Sequence, residues 1–342
     1  MAPHRPPDLS TADLAAVPES LGEFGRIARF FTPLATDPDA FGLTDDAALL
    51  RPTPGRELVV TVDAMVEGVH FLPDDPADLV ARKLLRVNLS DLAAMAAVPV
   101  GYVLTTALPA HRDDAWLAGF AQGLALDQAS FGIRLLGGDS VSTPGPVMLT
   151  VTAFGEVELG RAVRRNGARP GDFVWVTGTI GDGALGLLAA TGRLSDAPRR
   201  HQDFLADRYR LPQPRSTLGP ALAGLATAML DISDGLAGDL GHIAQTSGVA
   251  AEIDAAAVPL SAAASAVLAA DPTRLSLVLS GGDDYELLFT APAAAARALE
   301  RLAVSHGVPI TPIGRIAAGR GVTVRDADGG EIALSRGGYR HF

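Results

Sequence analysis

Two rhythms of apolar residues run along this chain. Short runs rich in Val, Leu and Ile alternate with longer stretches in which apolar residues return every three to four positions. The first pattern predicts strands and the second predicts helices packed on one face. "RELVVTV" (56–62) predicts a strand ending at Asp63, and "PADLVARKLLRVNLSDLAAMAA" (76–97) one long helix. "GYVLTTALP" predicts a strand, "DDAWLAGFAQGLALDQASFG" a helix, "IRLLGGD" a strand ending in Gly-Gly-Asp, and "PVMLTVTAFGEV" (146–157) a long strand. The polar, Gly-rich "ELGRAVRRNGARPGD" that follows reads as a domain linker.

The alternation then resumes. "DFVWVTG", "AMLDIS", "VAAEID" and "YELLFTAP" predict strands, and "ITPIGRIA" and "GVTVRD" a closing pair of strands. "DGALGLLAATG", "GLAGDLGHIAQTSG" (ended by Gly248) and "PAAAARALERLAVSHG" predict helices. "AAAVPLSAAASAVLAA" (255–270) is too short and too interrupted to span a bilayer and predicts a helix in the core. "RRHQDFLADRYR" is charged and predicts no strand. The class is therefore α/β (α+β) in two parts. We expect a flexible tail over 1–20, which has no signal-peptide core, a first domain over 21–158 and a second over 159–342.

Composition narrows the chemistry. The 342 residues carry a net charge of −11, which argues against nonspecific nucleic-acid binding. There is no cysteine, so disulfides, thiolate metal sites and cysteine nucleophiles are excluded, in keeping with a cytoplasmic protein. Lys83 is the only lysine. It lies in a helical pattern, so the chain has neither a P-loop lysine nor the strand lysine of protein kinases. Phosphates would have to be met by arginines and metal ions.

Carboxylates collect where elements end: Asp45 and Asp46 in "GLTDDAALL", Asp63, Asp91, Asp139, Asp231 and Asp234 in "MLDISDG", and Asp283, Asp284 and Glu286 in "LSGGDDYELLF". Asp234 or Ser233 would suit the cap of the following helix, but Asp231 ends an apolar run and needs a partner. Asp239 follows one turn on. Converging carboxylates repel one another unless a cation relieves them. With oxygen ligands and no thiolates, that cation would be Mg²⁺ or Mn²⁺, shared with phosphates. Separate helix caps and Asx turns are the alternative. "GDGALG" matches G-x-G-x-x-G at Gly181, Gly183 and Gly186, but a dinucleotide site there would leave the other Asp positions unexplained.

In order along the chain, "GEFGRIARFF", "TDDAALL", "TVDAMVEGVHF", "KLLRVNLSDLAAM", "LLGGDS", "RRNGARPGDFVWVTGTIGDGALGL", "MLDISDGLAGDLGHIA", "SGGDDYELLFT", "PIGRI" and "GYRHF" resemble the thiamine-monophosphate kinase family. That family is related to aminoimidazole ribonucleotide synthetase and uses ATP without a P-loop. The resemblance implies two α/β domains and a homodimer whose N-terminal strands form a shared barrel. It implies ATP-dependent conversion of thiamine monophosphate to thiamine diphosphate, the last step of that biosynthesis. It also implies Mg²⁺ held by Asp46, Thr61, Asp63, Asp91, Asp139, Asp231 and Asp234, with Asp63, Asp91 and Asp231 as the catalytic centre of the set. Gly138, Asp139, Arg165 and Ser233 would contact ATP, and His70, Asp283 and Tyr339 the thiamine phosphate. By itself His70 reads as a hydrogen-bonded structural residue, and Tyr339 as an ordinary terminal aromatic.

Three positions depart from the family pattern. Val62 replaces a Ser or Thr, so it would serve the metal only through its carbonyl. Asp283 replaces a longer Glu, and Ala121 a Tyr found near the adenine in some relatives. Two other enzymes of the superfamily are alternatives, and both rely on a cysteine (or selenocysteine) this chain lacks. A non-catalytic nucleotide-binding regulator is a further alternative, disfavoured because every central Asp is present.

Overall fold

The structure, a computed structural model, describes residues 21–334; the expected tail and Tyr339 lie outside the described residues. The chain divides into two compact units. The first takes the chain up to Thr53, then Val60–Asn88 and Pro99–Gly155; the second takes Pro54–Val59, Leu89–Val98 and the chain from Glu156 onward.

A four-stranded sheet carries the first unit: β1 (Arg56–Val66), β2 (Val98–Leu108), β3 (Arg134–Ser142) and β4 (Met148–Glu158), in the order β1-β4-β2-β3. Helices α1 (Ala77–Ala94) and α2 (Asp114–Phe131) follow the expected apolar rhythm. Asp113 caps α2 by accepting the Trp116 N–H at 2.9 Å, and Gly132 ends it in the left-handed region at φ 68°. Two strands outrun their expected ends. β1 continues to Val66 and β3 to Ser142, so Asp63 and Asp139 lie inside strands and do not terminate them. Asp is a poor strand former, but it is tolerated where the pleat leaves its side chain short of the core.

A six-stranded sheet carries the second unit: β5 (Phe173–Thr177), β6 (Ala228–Asp231), β7 (Ala250–Asp254), β8 (Leu287–Ala291), β9 (Ile310–Ala317) and β10 (Gly321–Arg325), in the order β10-β7-β9-β5-β8-β6. Its longer helices are α3 (Asp182–Ala190), α4 (Arg199–Arg210), α5 (Leu236–Ser247), α6 (Ala262–Ala270) and α7 (Ala296–His306). Val174, Val176, Leu230, Ile253, Leu288 and Ile313 form part of one core cluster, each at most 2 % exposed. Each such side chain contributes roughly 1.5–3 kcal/mol on burial.

Two expectations need correction here, and the charged stretch expected to form no strand takes a definite form. β9 and β10 do not pair with each other: β7 lies between them, and Ala250 pairs with Ala317 on one side and Gly321 on the other. Left-handed Gly319 (φ 128°) and Gly321 (φ 89°) let the chain step over the end of β7. The apolar run 255–270 is not one helix. It is a 3-10 turn at Ala255–Ala257, then α6, whose Ser261 cap accepts the Ala264 N–H at 3.0 Å. Pro259 separates the two. The charged "RRHQDFLADRYR" is the helix α4, anchored by buried Leu205 and Tyr209 one turn apart.

Candidate active site

In the first unit, the β2–β3 ladder skips one residue, pairing Tyr102 with Leu135 and then Val103 with Gly137. Such a bulge re-aims the strand beyond it, and Gly137, Gly138 and Asp139 follow at once. A Cβ on Gly138 would lie 1.9 Å from the Leu104 carbonyl oxygen, so only glycine fits there. Beyond it, Asp139 and Ser140 join Asp45, Asp46, Thr106 and Gly138 in the lining of a cavity of about 540 Å³. Asp46, Gly138 and Asp139 are thus gathered in one place. On β1 the pleat sets Thr61 and Asp63 on one face and Val62 on the other, where its side chain is 60 % exposed. Ala121 lies on α2 and is only 3 % exposed, so this position is part of the core packing.

His70 sits at the end of a tight turn after β1. Its N–H donates to the Val66 carbonyl at 2.9 Å, and its Nδ1 accepts the Val66 N–H at 3.0 Å. A ring nitrogen that accepts carries no proton, so the neutral imidazole bears its proton on Nε2. Glu67 steadies the same turn by accepting from Arg112 at 2.8 Å and from the Val147 N–H at 3.1 Å.

In the second unit, two loops are bonded into one frame. The Ile232 N–H donates to the Glu286 carbonyl at 2.9 Å, the Tyr285 N–H to the Ile232 carbonyl at 2.8 Å, and the Asp283 N–H to the Ser233 carbonyl at 2.9 Å. Ser233 and Asp234 are thereby fixed beside Asp283. The loop of Asp283 is strained: Asp283 (φ 62°) and Tyr285 (φ 51°) both occupy the left-handed region. The Tyr285 hydroxyl lies 3.3 Å from the Asp283 carboxylate as a donor.

Neither Asp234 nor Ser233 caps α5, contrary to expectation. The cap position is Gly235 (φ 120°), without a side-chain bond. Asp239 reaches back from the first turn and accepts the N–H groups of Asp234 and Gly235, both at 3.0 Å. This leaves the Asp234 carboxylate uncommitted to capping. Burial and the Asp234 charge push the Asp239 pKa up to about 7, against the pull of those two donors and of Arg165. Arg165 is held to α5 through its carbonyl, which accepts from Thr246 at 3.0 Å and Ser247 at 3.2 Å. Asp234, Asp239 and His242 each bring one ligand atom to within 4.8 Å of the others. Sequence reading left out His242, although its spacing of three from Asp239 on a helix puts both on one face. Asp231 ends β6, 5 % exposed. Asp91 lies in α1, half-buried, between fully buried Leu89 and Leu92.

Asp284 and Glu286 do not belong with the ligand-facing carboxylates. The Asp284 carboxylate accepts the N–H groups of Gly181 at 2.8 Å and Gly183 at 3.0 Å, at the start of α3. The G-x-G-x-x-G segment is therefore filled by the chain's own carboxylate, where a dinucleotide site would hold a pyrophosphate. Its glycines serve close packing: a Cβ on Gly183 would meet the Asp283 carbonyl oxygen at 2.2 Å, and one on Gly186 the Leu205 carbonyl oxygen at 2.2 Å. Glu286 is fully buried and neutralised by Arg215 and by Arg208 at 3.2 Å, and it accepts from Thr177 at 2.7 Å.

Carboxylates and a threonine hydroxyl are donors that suit a hard cation such as Mg²⁺. Just before Asp91, buried Asn88 Oδ1 and Ser90 Oγ lack hydrogen-bond partners among the described residues.

Two family models match the chain, the AIR synthase related protein N-terminal domain over 44–157 and C-terminal domain over 169–327. The chain is 46 % identical to the thiamine-monophosphate kinase of Caulobacter vibrioides, over 98 % of this chain and 94 % of the relative. It is similar to the crystal structure of thiamine-monophosphate kinase from Stenotrophomonas maltophilia K279a, with a TM-score of 0.77 and 44 % identity, covering 85 % of this chain and 91 % of the other. A solved complex of AaThiL with AMPPCP and TMP matches with a TM-score of 0.75 and 31 % identity, covering 94 % of this chain and 97 % of the other.

Proposed function

The chain belongs to the thiamine-monophosphate kinase family of AIR synthase related proteins, and from that premise we propose how its own residues serve the reaction. That reaction is the ATP-dependent phosphorylation of thiamine monophosphate to thiamine diphosphate. The acceptor oxygen belongs to a phosphate and is anionic near neutral pH, so no strong general base is needed. The demand is to hold two anions in line for direct transfer, with no phosphoenzyme.

Gly138, Asp139, Arg165 and Ser233 bind ATP in this reading, and His70 and Asp283 bind thiamine monophosphate. Asp46, Thr61, Asp63, Asp91, Asp139, Asp231 and Asp234 would hold Mg²⁺, with Val62 offering only its carbonyl. Bound there, Mg²⁺ would offset phosphate charge in the ground and transition states. His70 donates through Nε2–H to the acceptor phosphate, and Arg165 supplies a fixed positive charge to ATP. The bond from the Asp283 N–H to the Ser233 carbonyl at 2.9 Å is the observation that carries the reading, because it joins the loop assigned to the acceptor to the loop assigned to ATP.

A homodimer is part of the same proposal. Leu58, Val60 and Val62, 37, 58 and 60 % exposed, lie on one face of the edge strand β1 and suit a second copy. So is action in the cytoplasm; among the described residues no helix is long and apolar enough to cross a membrane.

The test is turnover by purified protein supplied with ATP, Mg²⁺ and thiamine monophosphate. Thiamine diphosphate should form, and excess EDTA should stop it. No product would reject the assignment, and full turnover in EDTA would reject the metal-binding role of the aspartates.

A further inference from the structure

Lys83 is the chain's only lysine, and nothing above gives it a task. It lies on α1, 3 % exposed, and its Nζ donates to the His70 carbonyl at 3.0 Å. A buried ammonium is costly unless its donors are used, so its placement constrains whatever it bonds. The bonded carbonyl belongs to the residue whose ring closes the turn. Val66 N–H binds the His70 ring from one side of this turn, left-handed Gly68 (φ 80°) donates to the Phe71 carbonyl at 2.8 Å, and Lys83 fixes the far end. Ring and carbonyl are thus held by separate bonds, which leaves the Nε2–H with one direction.

We infer that Lys83 is a positioning residue of the acceptor-phosphate subsite, locking the His70 turn and placing a positive charge against its backbone. The inference rests on the reading of His70 as a contact to the phosphate of thiamine monophosphate. A fixed positive charge on the turn that carries the donor favours an anion bound there. No proton transfer by Lys83 is involved.

A single lysine permits an unambiguous experiment. Protein grown on lysine carrying ¹³C at the ε position gives one side-chain ε signal. Thiamine monophosphate should shift that signal, and thiamine, which lacks the phosphate, should not. In parallel, Lys83→Met should raise KM for thiamine monophosphate by about tenfold or more, the scale of a charge-assisted contact, while KM for ATP stays within about twofold. Lys83→Arg, which keeps a charge and donors, should recover part of the loss. His70→Asn separates the two claims. If His70→Asn raises KM for thiamine monophosphate while Lys83→Met leaves it unchanged and the signal in the unmutated protein stays still, the inference is wrong and the His70 reading stands. If neither substitution changes that KM, both are wrong. The labelled protein is unmutated, so a folding defect in a variant cannot mask the answer.

Discussion

The carboxylate of Asp284 closes the first turn of α3, while that of its neighbour Asp283 is half-buried beside Ser233. Burial pushes the Asp284 pKa up to about 8, against the pull of its two N–H donors; nearby Asp182 raises it further and Arg208 lowers it. An unfolded Asp titrates at about 3.9. Between these values the native state keeps a proton that the unfolded state has released, so the stability contributed by Asp284 falls as pH rises through that window. Asp284→Asn cannot titrate. It should melt below the parent protein at low pH, because its amide oxygen can accept only one of the Gly181 and Gly183 N–H groups and its NH2 is turned toward the other. The deficit should shrink as pH rises from about 5 to about 8. Thermal unfolding at the two values checks this. A deficit that widens with pH would mean that Asp284 is charged in the native protein.

At the scale of elements, the loop of Asp283 is held between β6, β8 and the start of α3. Gly183 is where α3 meets it. Alanine at a helical glycine normally stabilises, by up to about 1 kcal/mol. Here the sign should reverse, because the added Cβ would lie 2.2 Å from the Asp283 carbonyl oxygen and 2.4 Å from its carbon. Backbone cannot swing aside as a side chain can. Gly183→Ala should lower Tm by several degrees and raise KM for thiamine monophosphate more than KM for ATP. A raised Tm, as for an ordinary helical glycine, would show that α3 and this loop are not in close contact.

Over the whole molecule, the order of strands and long helices is legible because most elements bury one face or are buried throughout, and both leave a rhythm. α1 and α2 were readable nearly to their ends, and the Gly248 stop of α5 holds, with Gly248 left-handed at φ 68°. α4 was not, because Leu205 and Tyr209 are its only fully buried side chains and charges fill the rest. Strand order was also hidden: no local pattern says that β7 would separate β9 from β10. At the site, family motifs point to the aspartates, but composition cannot separate Asp283 from Asp284. Their difference is set by backbone at φ 62° and 51° on either side of Asp284 and by two N–H groups about a hundred residues away in sequence. The back-capping of the 234–235 loop by Asp239 was missed for the same reason, since cap chemistry in sequence favours Ser233 or Asp234 equally well.

The central claim is that this protein transfers a phosphoryl group to a phosphate and does not activate an alcohol. His70 cannot serve as a base in its observed state, because Nδ1 already accepts the Val66 N–H and the neutral ring's proton is on Nε2. Thiamine, with a hydroxyl in place of the phosphate, would have to lose a proton during attack and would forfeit the contacts proposed for His70 and the aspartates. Two charge-assisted contacts at about 1.5–3 kcal/mol each correspond to more than a hundredfold. The decisive measurement is kcat/KM for purified protein with ATP and Mg²⁺, using thiamine monophosphate or thiamine as acceptor. A preference for thiamine monophosphate above about a hundredfold is the predicted result. Comparable values would contradict the account, because the site would then deprotonate alcohols and neither His70 nor the aspartates would be serving an acceptor phosphate.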